Sequence, residues 1–159
     1  MKFAPLGLLV VLALAGCQEK AAAPQEANPD AKPGLTLSDG KLIMAAVSGN
    51  PGAAYFTLSN GGSEPVTLAA VSIAGSEKAE MHETAGGSMA PLKAVTLKGG
   101  ETAKFARGGK HVMVFELNAS ITAGSKAELT LIFADGDKLS APLEVMAAGQ
   151  MPMDHGKAH

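Results

Sequence analysis

The sequence predicts an all-β fold in a single domain, a β-sandwich or barrel, and three observations carry that prediction. Between about residues 35 and 145 the apolar residues come in short alternating or continuous runs, with no stretch of convincing helical spacing. Clusters of Gly, Asn, Ser and Pro interrupt these runs at intervals of roughly 8–12 residues, the rhythm of antiparallel strands and turns. The chain has one cysteine, Cys17, far upstream of this region. No disulfide can staple the domain, so a packed apolar core must hold it together.

The strands follow in order. Ala53–Leu58 reads as a strand and ends at Ser59-Asn60-Gly61-Gly62, a strong turn signal. Val66–Ile73 is the next, then Lys78–Thr84. Met89–Leu97 reads as another, broken near Pro91, whose ring removes a backbone donor. Lys98-Gly99-Gly100 turns the chain into a strand over Glu101–Ala106. His111–Leu117 follows and stops at Asn118. Ala127–Phe133 and Lys138–Val145 are joined by Ala134-Asp135-Gly136-Asp137, the composition of a hairpin turn.

The ends of the chain have a different character. Met1-Lys2 precedes an apolar run from Leu6 to Ala15, the pattern of an export signal over residues 1–16. Such a run is shorter than the ~20 residues a bilayer-spanning helix needs. Leu14-Ala15-Gly16-Cys17 resembles the lipobox of bacterial lipoproteins, which implies that Cys17 is the acylated first residue of the mature chain. Residues 17–33 are then a lipidated Cys and a flexible linker, rich in Ala, Pro, Gln and Glu and without an apolar face. The domain spans 34–147. Residues 148–159 form a tail in which Met151, Met153, His155 and His159 crowd together.

Composition narrows the function. Net charge is −2, with no Trp and one Tyr, and the lysines are scattered. Neither a basic stripe nor a stacking set for nucleic acid is present. No Ser/His/Asp arrangement presents itself, so an enzyme is not expected. Methionine is the outlier, at eight residues.

Four of the side chains share a chemistry. Successive strand residues face opposite ways, so His111 and Met113 lie on one face, about 6.6 Å apart along the strand. Met81 and His82 must face opposite ways. Ala79 and Met81 make the apolar side, which leaves His82 on the site face. Met89 follows His82 across Gly86-Gly87, the expected tip of a hairpin. His82, Met89, His111 and Met113 are therefore candidate ligands. Thioether and imidazole without thiolate or carboxylate suit Cu(I), and a site without thiolate suits a carrier. An electron-transfer cupredoxin would need a Cys in a His₂Cys site, and Cys17 lies beyond the linker. A Met alone in a β core is packing filler. The competing reading is a metal-free β-sandwich lipoprotein that acts as an envelope interaction or scaffold module.

Met81-His82-Glu83, Met89-Ala90-Pro91 and Gly108-Gly109-Lys110-His111-Val112-Met113, together with Ala53–Asn60, resemble the ordered blocks of the PCu(A)C family of periplasmic copper chaperones. The resemblance covers roughly residues 35–146. It implies a cupredoxin-like β-sandwich, Cu(I) held by His82, Met89, His111 and Met113, and delivery of copper toward a cytochrome oxidase subunit or its assembly factor. Some members carry a His/Met extension with a second copper site. By that likeness Met151, Met153, His155 and His159 would capture Cu(II). The sequence departs from the family in one place: six residues separate His82 from Met89, where about ten are usual, and the family's Met-x-Met is reduced to Met89. The whole reading places the protein in the cell envelope, lipid-anchored and facing the periplasm.

Overall fold

The computed structural model of the protein describes residues 33–150. The expected signal peptide, Cys17 and the expected linker up to residue 32, and the tail from Met151 onward lie outside the described residues.

Ten strands make up the described chain: β1 (Leu35–Ile43), β2 (Gly52–Asn60), β3 (Val66–Ile73), β4 (Ser76–Ala85), β5 (Ser88–Pro91), β6 (Val95–Leu97), β7 (Thr102–Phe105), β8 (Lys110–Leu117), β9 (Lys126–Phe133) and β10 (Lys138–Met146). They hydrogen-bond in one sheet, ordered β5-β4-β8-β7-β2-β1-β10-β9-β3-β6, with β8 also pairing directly with β2. The pairings are antiparallel except β1 with β10 and β7 with β8. Strands β3 and β4 follow one another in the chain, yet stand near opposite ends of this order. The sheet must therefore curl back on itself, and its two halves enclose one core.

Period-2 burial shows how the sequence builds that core. In β2, Ala54, Phe56 and Leu58 are buried while Ala53, Tyr55 and Thr57 are only partly covered. Leu129, Leu131 and Phe133 of β9 and Leu139, Leu143 and Val145 of β10 complete the packing from the other half. Each such side chain contributes roughly 1.5–3 kcal/mol on burial. Phe56 and Phe105 are cross-strand partners whose rings stack at 4.3 Å.

Asn60 ends β2 as a buried polar pin. Its Nδ2 donates to the carbonyl of Glu64 at 2.8 Å and reaches those of Leu97 and Lys98 at 3.2 Å. Its Oδ1 accepts from the Gly62 amide at 3.0 Å. The turn signal at residues 59–62 is thus also a clamp that ties β2 to the β6–β7 connection.

Two elements differ from the sequence expectation. The run 89–97 is two strands, β5 and β6, and they lie at opposite edges of the sheet. Pro91 ends the first, and Leu92 donates its amide to the Met81 carbonyl at 2.8 Å before the chain crosses over. Strand β1 was hidden in the sequence by Asp39-Gly40. Asp39 takes a φ of 58° and the register with β2 shifts between Ser38 and Lys41, so the apolar alternation slips in mid-strand.

Candidate metal centre

The candidate site lies on the outer face of the β5-β4-β8 corner, opposite the core. Strand parity puts it there. Val112 and Val114 of β8 and Met81 of β4 are buried in the core, so His111, Met113 and His82 must point outward. Met81 is thereby a core residue, as its position in the strand predicts.

Register brings the outward residues together. His82 stands directly across from His111, and Glu80 across from Met113. The His82 and His111 rings are 6.1 Å apart between centroids. On its other side Met113 stands across from Ala53 of β2.

The hairpin between β4 and β5 adds the next donor. Ala85 pairs with Ser88, which leaves only Gly86 and Gly87 in the turn, with φ of 58° and 82°. Two successive left-handed residues make the tight turn that matches strand twist, and glycine takes this conformation without strain. Met89 then falls opposite Thr84, on the same face as His82. A hairpin of this minimal length still delivers the sulfur: Met89 Sδ is 3.3 Å from His111 Nε2.

That contact has a chemical direction. His111 Nδ1 is 2.9 Å from the Gly109 carbonyl oxygen. A carbonyl only accepts, so Nδ1 carries the proton and donates it. In the neutral ring Nε2 is then a bare lone pair, and it faces another lone-pair atom, the Met89 sulfur. Two donors each about 2.0–2.3 Å from one ion at a tetrahedral angle stand about 3.5 Å apart. The observed separation fits a shared cation. In that neutral tautomer neither atom has a proton to give, so the contact there is not a hydrogen bond.

His82 has unmet needs as well. Both of its ring nitrogens are buried and neither makes a hydrogen bond. Glu80 Oε2 comes to 3.6 Å of His82 Nε2, beyond hydrogen-bond range. Glu80 is itself held at 2.8 Å by Lys78, and that hydrogen bond draws its carboxyl below the usual glutamate range. A buried imidazole without a partner is costly unless something absent from the protein chain satisfies it.

Exposure grades the donors. His111 is 7% exposed and Met89 is 53% exposed. Strand β5, which carries Met89, is the edge of the sheet, and all four of its residues are exposed. Among the described residues no three His, Cys, Asp or Glu side chains gather into a metal-holding group, so a cation here would draw on thioether sulfur. Sequence reasoning missed the Gly109 carbonyl and Glu80. The first is implied by its place two residues before His111 at a strand start; the second shares the face of His82 by parity.

A family model, LpqE-like, matches residues 35–145. The chain belongs to the LpqE-like family. It is 27% identical over 132 residues to "Putative lipoprotein Lxx21020" of Leifsonia xyli subsp. xyli, a match covering 80% of this chain and 78% of that protein. The copper-bound PCuAC domain from PmoF2 superposes with a TM-score of 0.61 at 20% identity, over 72% of this chain and 93% of that one. The CuI-DR1885 structure from Deinococcus radiodurans does so with a TM-score of 0.51 at 25% identity, over 78% and 83%. This LpqE-like chain therefore has the cupredoxin-like β-fold of PCuAC domains.

Proposed function

We propose that the protein is a copper carrier that binds Cu(I) through His82, Met89, His111 and Met113 and passes it to a copper-accepting protein of the cell envelope. One observation carries the reading: the His111 Nε2 lone pair is turned onto the Met89 sulfur at 3.3 Å, with its other nitrogen occupied by the Gly109 carbonyl. The orphaned nitrogens of His82 across the strand pair supply a further donor. Imidazole with thioether is a soft donor set, and among the first-row metals it suits Cu(I).

The copper is cargo rather than a resident cofactor. Without a thiolate the ion is held by neutral donors, and its most exposed ligand, Met89, is on the outermost strand. An incoming donor from an acceptor can displace that sulfur first, while the shielded imidazoles keep hold until exchange is complete. Carriage of this kind needs no catalytic group.

Likeness to copper-bound PCuAC domains supports the reading at the level of fold. The resemblance of its sequence blocks to the periplasmic chaperones favours delivery toward a cytochrome oxidase subunit or its assembly factor. The lipobox-like Leu14–Cys17, together with a relative named as a lipoprotein, favours an acylated Cys17 that anchors the carrier to a bacterial membrane with its domain facing the periplasm. The Met/His tail would capture Cu(II).

Titration with Cu(I) in competition with a chromogenic chelator tests the proposal. The protein should take up one equivalent at the sheet site, and His111→Ala should abolish that competition. An unchanged titration in His111→Ala would sink the copper assignment and leave a scaffold module.

A further inference from the structure

We propose that Lys78 is a selectivity residue: it holds the Glu80 carboxylate out of the candidate site and so keeps divalent ions, zinc foremost, from taking the place of Cu(I). The proposal rests on the copper reading above and adds to it what the site excludes.

Three cross-strand pairs stand in a row on the outer face of β4 and β8. Lys78 faces Phe115, Glu80 faces Met113 and His82 faces His111, and residues two apart on a strand share a face. Glu80 therefore brings a carboxylate onto the face that carries both imidazoles. Two imidazoles and one carboxylate are a zinc-binding donor set. Oxygen donors favour harder ions, whereas thioether favours Cu(I).

The distances show how near the zinc alternative lies. Glu80 Oε2 is 3.6 Å from His82 Nε2. Two donors about 2.0–2.1 Å from one tetrahedral zinc stand about 3.3 Å apart, so only a small displacement separates this pair from a shared ion. Yet among the described residues no three His, Cys, Asp or Glu side chains gather into such a group.

Lys78 supplies the restraint. Its Nζ is 2.8 Å from Glu80 Oε1 and 5.4 Å over the Phe115 ring, within cation–π range. The ammonium is thus fixed from two sides, and it neutralises the carboxylate beside it. What is left for a metal is imidazole and thioether without net charge. Repulsion between Lys78 and a bound ion scales with the charge of the ion, so it acts about twice as strongly on Zn(II) as on Cu(I). A second carboxylate, Glu83, lies on the opposite face by parity and is held by Lys110 at 2.8 Å. Both carboxylates within two residues of His82 are therefore bound to lysines. The Lys78 side chain is 61% exposed, which limits the effect, since an exposed ion pair changes an equilibrium by at most about fivefold.

The test titrates the full chain with zinc sulfate and, separately, with Cu(I), each against a chromogenic chelator. Lys78→Leu should bind Zn(II) about threefold to fivefold more tightly than wild type, with Cu(I) affinity changed by less than about twofold. Lys78→Leu/Glu80→Asp keeps the negative charge but shortens its reach, and should return Zn(II) affinity to the wild-type value. The tail is common to all these proteins, so zinc bound there cancels in the comparison. With carboxyl-labelled glutamate, the Glu80 resonance should shift on zinc addition in Lys78→Leu and stay in place in wild type. Unchanged Zn(II) affinity in Lys78→Leu, a gain that survives Glu80→Asp, or a Glu80 resonance that moves equally in wild type would each overturn the proposal. The copper reading then stands if His111→Ala abolishes Cu(I) uptake. If His111→Ala changes nothing, both fall.

Discussion

His111 Nε2 and Met89 Sδ stand 3.3 Å apart, although their strands do not touch: β4 runs between β8 and β5. The contact spans a strand because Met89 is displaced diagonally from His111. It faces Thr84, two residues along from His82. The pair therefore depends on the register of two separate strand pairings.

Replacing the sulfur should isolate its role. Met89→Leu keeps the volume on an exposed residue, so stability should change by no more than about 0.5 kcal/mol. Cu(I) affinity should fall about tenfold, which is ~1.4 kcal/mol. A chelator competition measures the second quantity and thermal unfolding the first. Equal affinity in the two proteins would remove Met89 from the ligand set.

The hairpin turn makes a separate prediction. Gly87 has a φ of 82°, where a side chain costs about 1–2 kcal/mol. Gly87→Val should loosen β5, raise the exchange rate of its amides and weaken Cu(I) binding. The core amides of β9 and β10 should stay protected. Global loss of protection would mean that the hairpin is integral to folding rather than to the site.

Glu77 and Glu116 give a pH-dependent prediction away from the site. Hydrogen bonding to Glu116, followed by repulsion from its charge, raises the Glu77 carboxyl above the usual 4.5. The folded state thus favours the protonated form, and the pair lowers stability at pH values above the raised value. Glu77→Gln should raise the melting temperature at neutral pH. That gain should shrink as pH falls through the carboxylate range, because the wild-type group is then protonated in the folded protein. A gain that persists in acid would assign the effect to something other than charge.

Glu116 also carries backbone strain, with a φ of 51°. Glu116→Gly should relieve it, with a net gain of about 0.5–1 kcal/mol after glycine's added chain entropy. Urea unfolding reads this directly.

Asn60 should prove structural. Asn60→Ala strips the carbonyls of Leu97 and Lys98 of a side-chain donor inside the protein and should cost about 2–3 kcal/mol. Copper affinity should be unchanged, since Asn60 lies at the opposite end of β2 from the Ala53–Met113 pairing.

Much of this was legible in the sequence because strands obey a period of two. That rule separates Met81 from His82 and joins His111 to Met113 from residue order alone. Gly86-Gly87 announced the hairpin that carries Met89. The parts that were hidden depend on long-range register. Nothing local shows that His82 faces His111, or that residues 88–91 and 95–97 part to opposite edges. Strand β1 was obscured because its bulge at Asp39-Gly40 breaks the alternation on which the reading relies. The unpartnered state of both His82 nitrogens is likewise a property of packing, and no residue pattern reports it.

The position of Met89 on the outermost four-residue strand separates the stability of the binding site from that of the domain. Strand β5 is tied on one side only, and Pro91 ends it. Opening the β4–β5 hairpin would remove one proposed ligand while β9, β10 and the stacked Phe56 and Phe105 remain in place. Such openings are local and cost less free energy than global unfolding. If the proposed site holds copper, the rate at which the ion leaves follows the breathing of a single hairpin, and substitutions in its turn tune residence time without altering the melting temperature of the domain.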